Sequence, residues 1–206
     1  MFVVAIAKGR LLELSLDLFY QAGIEFSEDV LASRKLIFDA KDGQHRIVLV
    51  KPADVPTYVE YGAADAGIAG LDVLMESRAD VVQPLGLKFG YCKIAVAAQK
   101  GVTSIGGSDL PTVRVATKYP NITMDFFNTR GIPVEIIPLN GSIELAPLLG
   151  LSDRIVDLVE SGQTLKENGL DIVEVIAESS ARLIVNRASY QIKRTQVLEF
   201  MGALQP

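Results

Sequence analysis

The sequence predicts an α/β protein folded in two lobes, and three observations carry that reading. Short apolar runs, several rich in β-branched residues and too short for helices, recur along the chain and lead through turns into segments of helical period. One order of features occurs twice. A helix, Gly62-Ala63-Ala64-Asp65, a short apolar strand and Gly70 stand in the first half; a helix, Gly150-Leu151-Ser152-Asp153, a strand and Gly162 stand in the second. Two such units mean two similar lobes, since a solenoid needs more repeats. Between them, residues 83–91 show little periodicity and contain Pro84, Gly86 and Gly90, which suits a crossing from one lobe to the other.

In chain order, residues 2–7 read as a buried central strand and Lys8-Gly9-Arg10 as the turn at its carboxyl end. A helix is expected over 11–22, stopped by Gly23. Residues 33–38 and 46–50 read as two strands, with Asp42-Gly43 as the hairpin signal between them. A helix over 54–61 closes at Gly62, a tight strand follows at 66–70, and residues 71–76 open another helix. The second lobe starts with a strand at 92–98 and a Gly/Ser/Thr-rich surface loop at 101–108. A strand at 113–117 precedes a helix from about Ile122, capped by Asn121 and ended by Gly131, and a strand at 134–137. Strands over 171–178 and 182–185 lead back to the first lobe. A helix over 190–204 ends the chain, with Ile192, Val197, Leu198, Met201 and Leu204 as its buried stripe.

Composition narrows the function. With 206 residues, 49% hydrophobic and 22% charged, the chain can bury a core and is no disordered segment. A net charge of −5 argues against a nucleic-acid or membrane-surface binder, which needs a basic face. The one cysteine, Cys92, excludes an internal disulfide and reads as a core thiol. The one histidine, His45, is too little for a zinc site or a Ser-His-Asp triad. No apolar run is long enough to span a bilayer, and residues 2–7 lack a signal peptide's charged leader, so a cytoplasmic protein is expected.

The chemistry concentrates in residues 139–165, LNGSIELAPLLGLSDRIVDLVESGQTL. Asn140-Gly141 is a turn, Ser142 is placed to cap a helix from Ile143, and Glu144 suits that helix's first turn. A β-rich run at 154–159 then delivers Glu160-Ser161-Gly162-Gln163-Thr164 to a strand's carboxyl end, just before a helix expected from Leu165. Small residues there let backbone N–H groups converge on a phosphate, with the Ser161 and Thr164 hydroxyls completing the cradle. Asp157 would face a sugar hydroxyl. An ordinary strand-to-helix turn has the same spacing, so both readings stand at this level. Lys8 and Arg10, beside a helix N-terminus whose dipole disfavours cations, hint at an anion or are two solvated charges.

Asp157-Leu158-Val159-Glu160-Ser161-Gly162-Gln163-Thr164-Leu165 resembles the phosphoribosyl-diphosphate (PRPP) loop of the ATP phosphoribosyltransferases, the first enzymes of histidine biosynthesis. Leu139-Asn140-Gly141-Ser142-Ile143-Glu144-Leu145-Ala146-Pro147 and Gly150-Leu151-Ser152-Asp153 resemble that family's signature just upstream. The resemblance continues in Ala7-Lys8-Gly9-Arg10-Leu11, Asp54-Val55-Pro56, Gly62-Ala63-Ala64-Asp65 and Ala116-Thr117-Lys118-Tyr119-Pro120. It covers nearly the whole chain in the right order.

The resemblance implies a fold like the type II periplasmic binding proteins, with the active site in the cleft between the lobes. Lobe I would be 1–88 plus 175–206, and lobe II, carrying the PRPP loop, 89–174. It implies attack by N1 of ATP on C1 of PRPP with loss of diphosphate. The implied catalytic residues are Lys8, Arg10 and Lys51. PRPP would be held by Asp157, Glu160, Ser161, Gly162, Gln163 and Thr164, and nucleotide or diphosphate by Lys8, Gly9, Arg10, Arg34, Lys51 and Glu144. Lys51 departs from the arginine expected there, exchanging a bidentate fork for a point charge. Magnesium would be bound through substrate phosphates, because the acidic residues form no ligand cluster. The chain looks like the family's short form, which works in a hetero-oligomer with a regulatory subunit resembling a histidyl-tRNA synthetase catalytic core. The alternatives are a non-catalytic two-lobed binding protein or sensor for an anionic metabolite, and a phosphoribosyltransferase acting on another base.

Overall fold

The computed structural model describes residues 1–106 and 112–205. Gly107 and Ser108, the end of the expected surface loop, lie outside the described residues. The chain divides into two compact units, Met1–Gly90 with Ser180–Pro206, and Tyr91–Ser179. Each is built on its own sheet.

The first unit begins with β1 (Phe2–Ala7), α1 (Arg10–Gln21), β2 (Ile37–Asp39) and β3 (His45–Val50). A short 3-10 turn (Pro52–Asp54) leads into α2 (Val55–Glu60), β4 (Ala66–Gly70), α3 (Leu71–Ser77) and β5 (Val82–Gly86). After the second unit the chain returns as β11 (Ala181–Val185), α7 (Arg187–Ile192) and α8 (Arg194–Ala203). The six strands lie in the order β2-β3-β1-β4-β11-β5. The central strands β3, β1 and β4 are parallel, so their carboxyl ends share one edge.

β1 is buried on both faces because its alternate residues feed two cores. Phe2, Val4 and Ile6 pack with Leu12, Leu16 and Phe19 of α1 and Phe200 of α8. Ala5 and Ala7 pack with Val55 and Val59 of α2. The small residues of β4 let α2 lie directly on the sheet. A Cβ on Gly67 would fall 2.8 Å from Val59 and 2.9 Å from Val55. Burying a side chain such as Phe19 contributes roughly 1.5–3 kcal/mol.

The second unit runs β6 (Cys92–Gln99), β7 (Val113–Thr117), α4 (Pro120–Thr129), β8 (Val134–Pro138), α5 (Leu145–Leu148), β9 (Arg154–Val159), α6 (Gln163–Glu167) and β10 (Leu170–Ser179). Its strand order is β10-β6-β9-β7-β8, with β9, β7 and β8 parallel. One face packs under α4 through Val115, Val156, Ile122 and Phe127. The other packs under α5 and α6 through Ala116, Ile155, Ile143 and Leu165.

Five sequence expectations need correction. The stretch read as the crossing, 83–91, begins as a strand, Val82–Gly86, because pairing with β11 supplies the hydrogen bonds that periodicity did not announce. The strand expected at 33–38 is confined to Ile37–Asp39. Ser142 does not cap a helix. Its φ of 50° is left-handed, whereas a capping residue needs an extended backbone, and α5 starts only at Leu145. Asn121 lies inside α4, which opens with Pro120 at its first position. The terminal helix is two helices, broken at Lys193. That break leaves Ile192 82% and Leu198 48% exposed, while Val197 and Leu204 are buried.

Candidate functional site

In the first unit the sheet geometry gathers the expected cations. Lys8-Gly9-Arg10 follows the carboxyl end of β1, and the Lys8 N–H donates to the Val50 carbonyl at 3.3 Å, where β3 ends. Lys51 comes next, extended at φ −72° and ψ 151°. Arg34 precedes β2, which runs antiparallel to β3. The Leu49 N–H donates to the Leu36 carbonyl at 2.8 Å, so residues 34–36 also lie toward the carboxyl end of β3. Lys8, Arg10, Arg34 and Lys51 are all exposed.

Gly9 makes the turn between β1 and α1. Its φ of 104° with ψ −154° is open essentially to glycine alone, and a Cβ there would meet nothing within 4 Å. The peptide thus stands open to solvent at the start of a 12-residue helix. Clustered cations at a helix N-terminus repel one another and the dipole, and a polyanion relieves both.

In the second unit, β9 delivers Asp157 and the segment Glu160 to Thr164. Asp157 falls on the α5/α6 face, in step with Ile155 and Val159. It is half-buried, and its Oδ1 accepts the Leu158 N–H at 2.8 Å. Burial raises the proton affinity of its carboxyl and outweighs the Leu158 N–H bond, which lowers it; the neighbouring Glu144 adds to the rise and Lys118 pulls it back. The structure therefore brings Asp157, Glu144 and Lys118 together electrostatically.

Gly162 turns the loop in the left-handed region at φ 74°. The helix after it begins at Gln163, two residues earlier than expected from Leu165, and is only five residues long. Its dipole is correspondingly weak, so an anion here depends on the loop's own N–H groups. Ser161 Oγ accepts the Gln163 N–H at 3.3 Å, and Gln163 Nε2 donates to Glu167 Oε1 at 2.7 Å. The Gln163 side chain is thus tied along its helix, while Glu160, Ser161 and Thr164 are exposed.

Other polar residues serve the scaffold. His45 opens β3, at the end opposite Lys51. Its Nδ1 lies 2.6 Å from Asp42 Oδ2, and its ring packs near Phe2 and Phe200. Arg154 is buried at the amino end of β9, donating to the Ser104 and Asp153 carbonyls at 3.0 and 2.8 Å. Among the described residues, no three His, Cys, Asp or Glu side chains are grouped to hold a metal, and no helix is long and apolar enough to cross a membrane. Sequence reasoning assigned no role to Lys118 or Thr117. The Thr117-Lys118 pair at a strand's carboxyl end was the available signal.

Known proteins resemble the chain over nearly its whole length. A family model described as ATP phosphoribosyltransferase matches residues 51–206. An ATP phosphoribosyltransferase of Geobacter metallireducens is 52% identical over 98% of this chain and 96% of its own length. ATP phosphoribosyltransferase 2 of Geobacter sulfurreducens is also 52% identical, at the same coverage. Among solved structures, the chain resembles one in the ATP phosphoribosyl transferase (HisG:HisZ) complex from Thermotoga maritima. The TM-score is 0.87 and the identity 39%, over 100% of this chain and 97% of that one. The alkanesulfonate-binding protein SsuA of Xanthomonas axonopodis pv. citri aligns with a TM-score of 0.58 at 13% identity, over 98% of this chain and 71% of that one. That likeness is one of fold alone, the fold of periplasmic binding proteins.

Proposed function

The chain belongs to the ATP phosphoribosyltransferase family, and on that premise we infer that it transfers the phosphoribosyl group of PRPP to N1 of ATP in the first step of histidine biosynthesis. The observation that carries this reading is the match to ATP phosphoribosyltransferases over almost their full length. The products are N1-(5-phosphoribosyl)-ATP and diphosphate. The N1–C1 bond forms, the bond from C1 to the diphosphate oxygen breaks, and its electron pair leaves with the diphosphate.

Adenine N1 has a free lone pair at neutral pH, so the reaction needs no strong base. It needs placement and charge control. The loop from Glu160 through Ser161, Gly162 and Gln163 to Thr164 holds the 5′-phosphate through its backbone. Asp157 accepts from the ribose hydroxyls. As C1 gains positive charge, a nearby ionised carboxylate becomes more favourable, which suits a group whose proton affinity starts raised.

Lys8, Arg10 and Lys51, with Arg34, neutralise the leaving diphosphate and the ATP phosphates. Glu144 faces the adenine side. Magnesium would be held mainly by the substrates' phosphate oxygens, where it would shield the diphosphate charge. These metabolites place the enzyme in the cytoplasm. The chain works with a second, regulatory subunit, a reading supported by its likeness to a chain of the HisG:HisZ complex from Thermotoga maritima.

Incubation with ATP, PRPP and magnesium tests the activity, with N1-(5-phosphoribosyl)-ATP followed by absorbance and mass. Binding of both substrates without product would favour a sensor instead. Histidine titrated with and without the partner tests the regulatory reading. Inhibition that requires the partner is expected, and equal inhibition of the lone chain would refute it.

A further inference from the structure

Thr117 is the last residue of β7, and its side chain is completely buried on the α4 face of the sheet. Its Oγ1 donates to the Val156 carbonyl at 2.8 Å and accepts the Tyr119 N–H at 2.8 Å. Thr123 Oγ1, also fully buried, donates to the Tyr119 carbonyl at 2.7 Å and lies 3.3 Å from Thr117 Oγ1. Thr117 and Val156 form the last pair in the register of β7 with β9. The Val156 carbonyl belongs to the peptide that joins Val156 to Asp157. The hydroxyl therefore fixes that peptide from the α4 face, while the Asp157 side chain emerges on the other. The Leu158 N–H holds the Asp157 carboxylate from the next peptide, at 2.8 Å.

We propose that Thr117 is a positioning residue for the phosphoribosyl end of the site, clamping from behind the backbone that aims Asp157. This rests on the reading of Asp157 as a ribose ligand. A β-strand carboxyl end is where pairing runs out and the backbone loosens. The hydroxyl extends the hydrogen bonding to the point where the side chain must be held. It leaves the face that would meet substrate untouched.

The test compares Thr117→Val, nearly isosteric but without the hydroxyl, with Thr117→Ser, Thr123→Val and Asp157→Asn. The readouts are KM for each substrate, kcat, and the pH profile of kcat/KM for PRPP. Misplacement of a substrate-contacting group costs up to about a hundredfold. Thr117→Val should lower kcat/KM for PRPP by roughly tenfold to a hundredfold on that scale, with KM for ATP nearly unchanged. Its acid limb should move to lower pH as Asp157 relaxes toward solvent and away from Glu144, with Lys118 still opposite. Thr117→Ser should restore the wild-type values. Thr123→Val removes a buried hydroxyl of the same cluster but leaves the Val156 bond, and should be mild. Should Thr117→Val fail to fold by circular dichroism, Thr117→Ala takes its place.

Equal losses in Thr123→Val and Thr117→Val would mean a merely structural role and overturn the proposal. So would a loss in Asp157→Asn with wild-type behaviour in Thr117→Val. A silent Asp157→Asn would overturn the ribose reading itself, and the proposal with it.

Discussion

Asp65 offers a sharp energetic test, because its three partners differ in how easily water can replace it. The residue is 7% exposed. Its Oδ2 accepts the Val3 N–H at 2.9 Å and Lys193 Nζ at 2.7 Å, and its Oδ1 accepts Ser189 Oγ at 2.7 Å. It thus ties the start of β1 to both terminal helices. In Asp65→Ala, the Val3 N–H loses its charged acceptor in a strand beneath packed helices, at about 1–3 kcal/mol. Ser189 loses a charge-assisted bond, worth ~1–2 kcal/mol after partial rehydration. Lys193, with its side chain 34% exposed, recovers most of its hydration, so the ion pair adds less than about 1 kcal/mol. The sum is about 2–6 kcal/mol, most of it from the Val3 and Ser189 bonds.

Lys193→Met should cost only about 1 kcal/mol, since Asp65 keeps its other two donors. Urea unfolding followed by circular dichroism measures both, with the slope unchanged if the unfolded state is unaffected. Equal costs, or a loss below about 1 kcal/mol in Asp65→Ala, would refute this division of the energy. The pH dependence has a definite sign. Burial pushes the Asp65 carboxyl up, but bonds from Lys193, Val3 and Ser189 outweigh it and hold it below its ordinary value. Its stabilisation is therefore present above the ordinary carboxylate range and is lost as pH falls through the lowered folded value. Asp65→Ala should remove part of the protein's acid sensitivity there.

Gly162→Val should abolish PRPP binding in a folded protein, since the left-handed turn at φ 74° disfavours a branched side chain and the loop N–H groups would be displaced. Calorimetry giving wild-type affinity would remove the loop from the site. Lys8→Met and Arg10→Met should each cost ~2–5 kcal/mol in kcat/KM, because bound polyphosphate would desolvate these charges. Unchanged kinetics in both would make them solvated surface charges. Gly67→Ala should destabilise by about 1–3 kcal/mol, as α2 must lift off β4 to admit the methyl group. An unchanged urea midpoint would show that Val55 and Val59 yield freely.

The features legible in the sequence are those written locally. Residues 2–7 and 66–70 announce buried strands because both faces are covered and every side chain must be apolar or small. The segment around Gly162 announces a turn because only glycine takes that backbone at no cost. Lys8, Gly9 and Arg10 could be placed at a strand end because an apolar run stops where its carboxyl edge meets water. Together these motifs were enough to identify the family.

What the tertiary structure alone decided are matters of partnership. β5 has no alternation to read and becomes a strand because β11 pairs with it, from about a hundred residues further along the chain. The last helix breaks at Lys193, whose ammonium group bonds Asp65, 128 positions away, and the Met1 carbonyl. Ser142, a good capping residue by type, sits in the left-handed region and cannot cap. Thr117 reads as one more β-branched residue until the fold brings the Val156 carbonyl, 39 positions away, within reach of its hydroxyl. A local pattern specifies which backbone conformation a segment prefers. Which donor meets which acceptor depends on chain reversals that no local pattern encodes, and the aim of Asp157 belongs to that second kind of information.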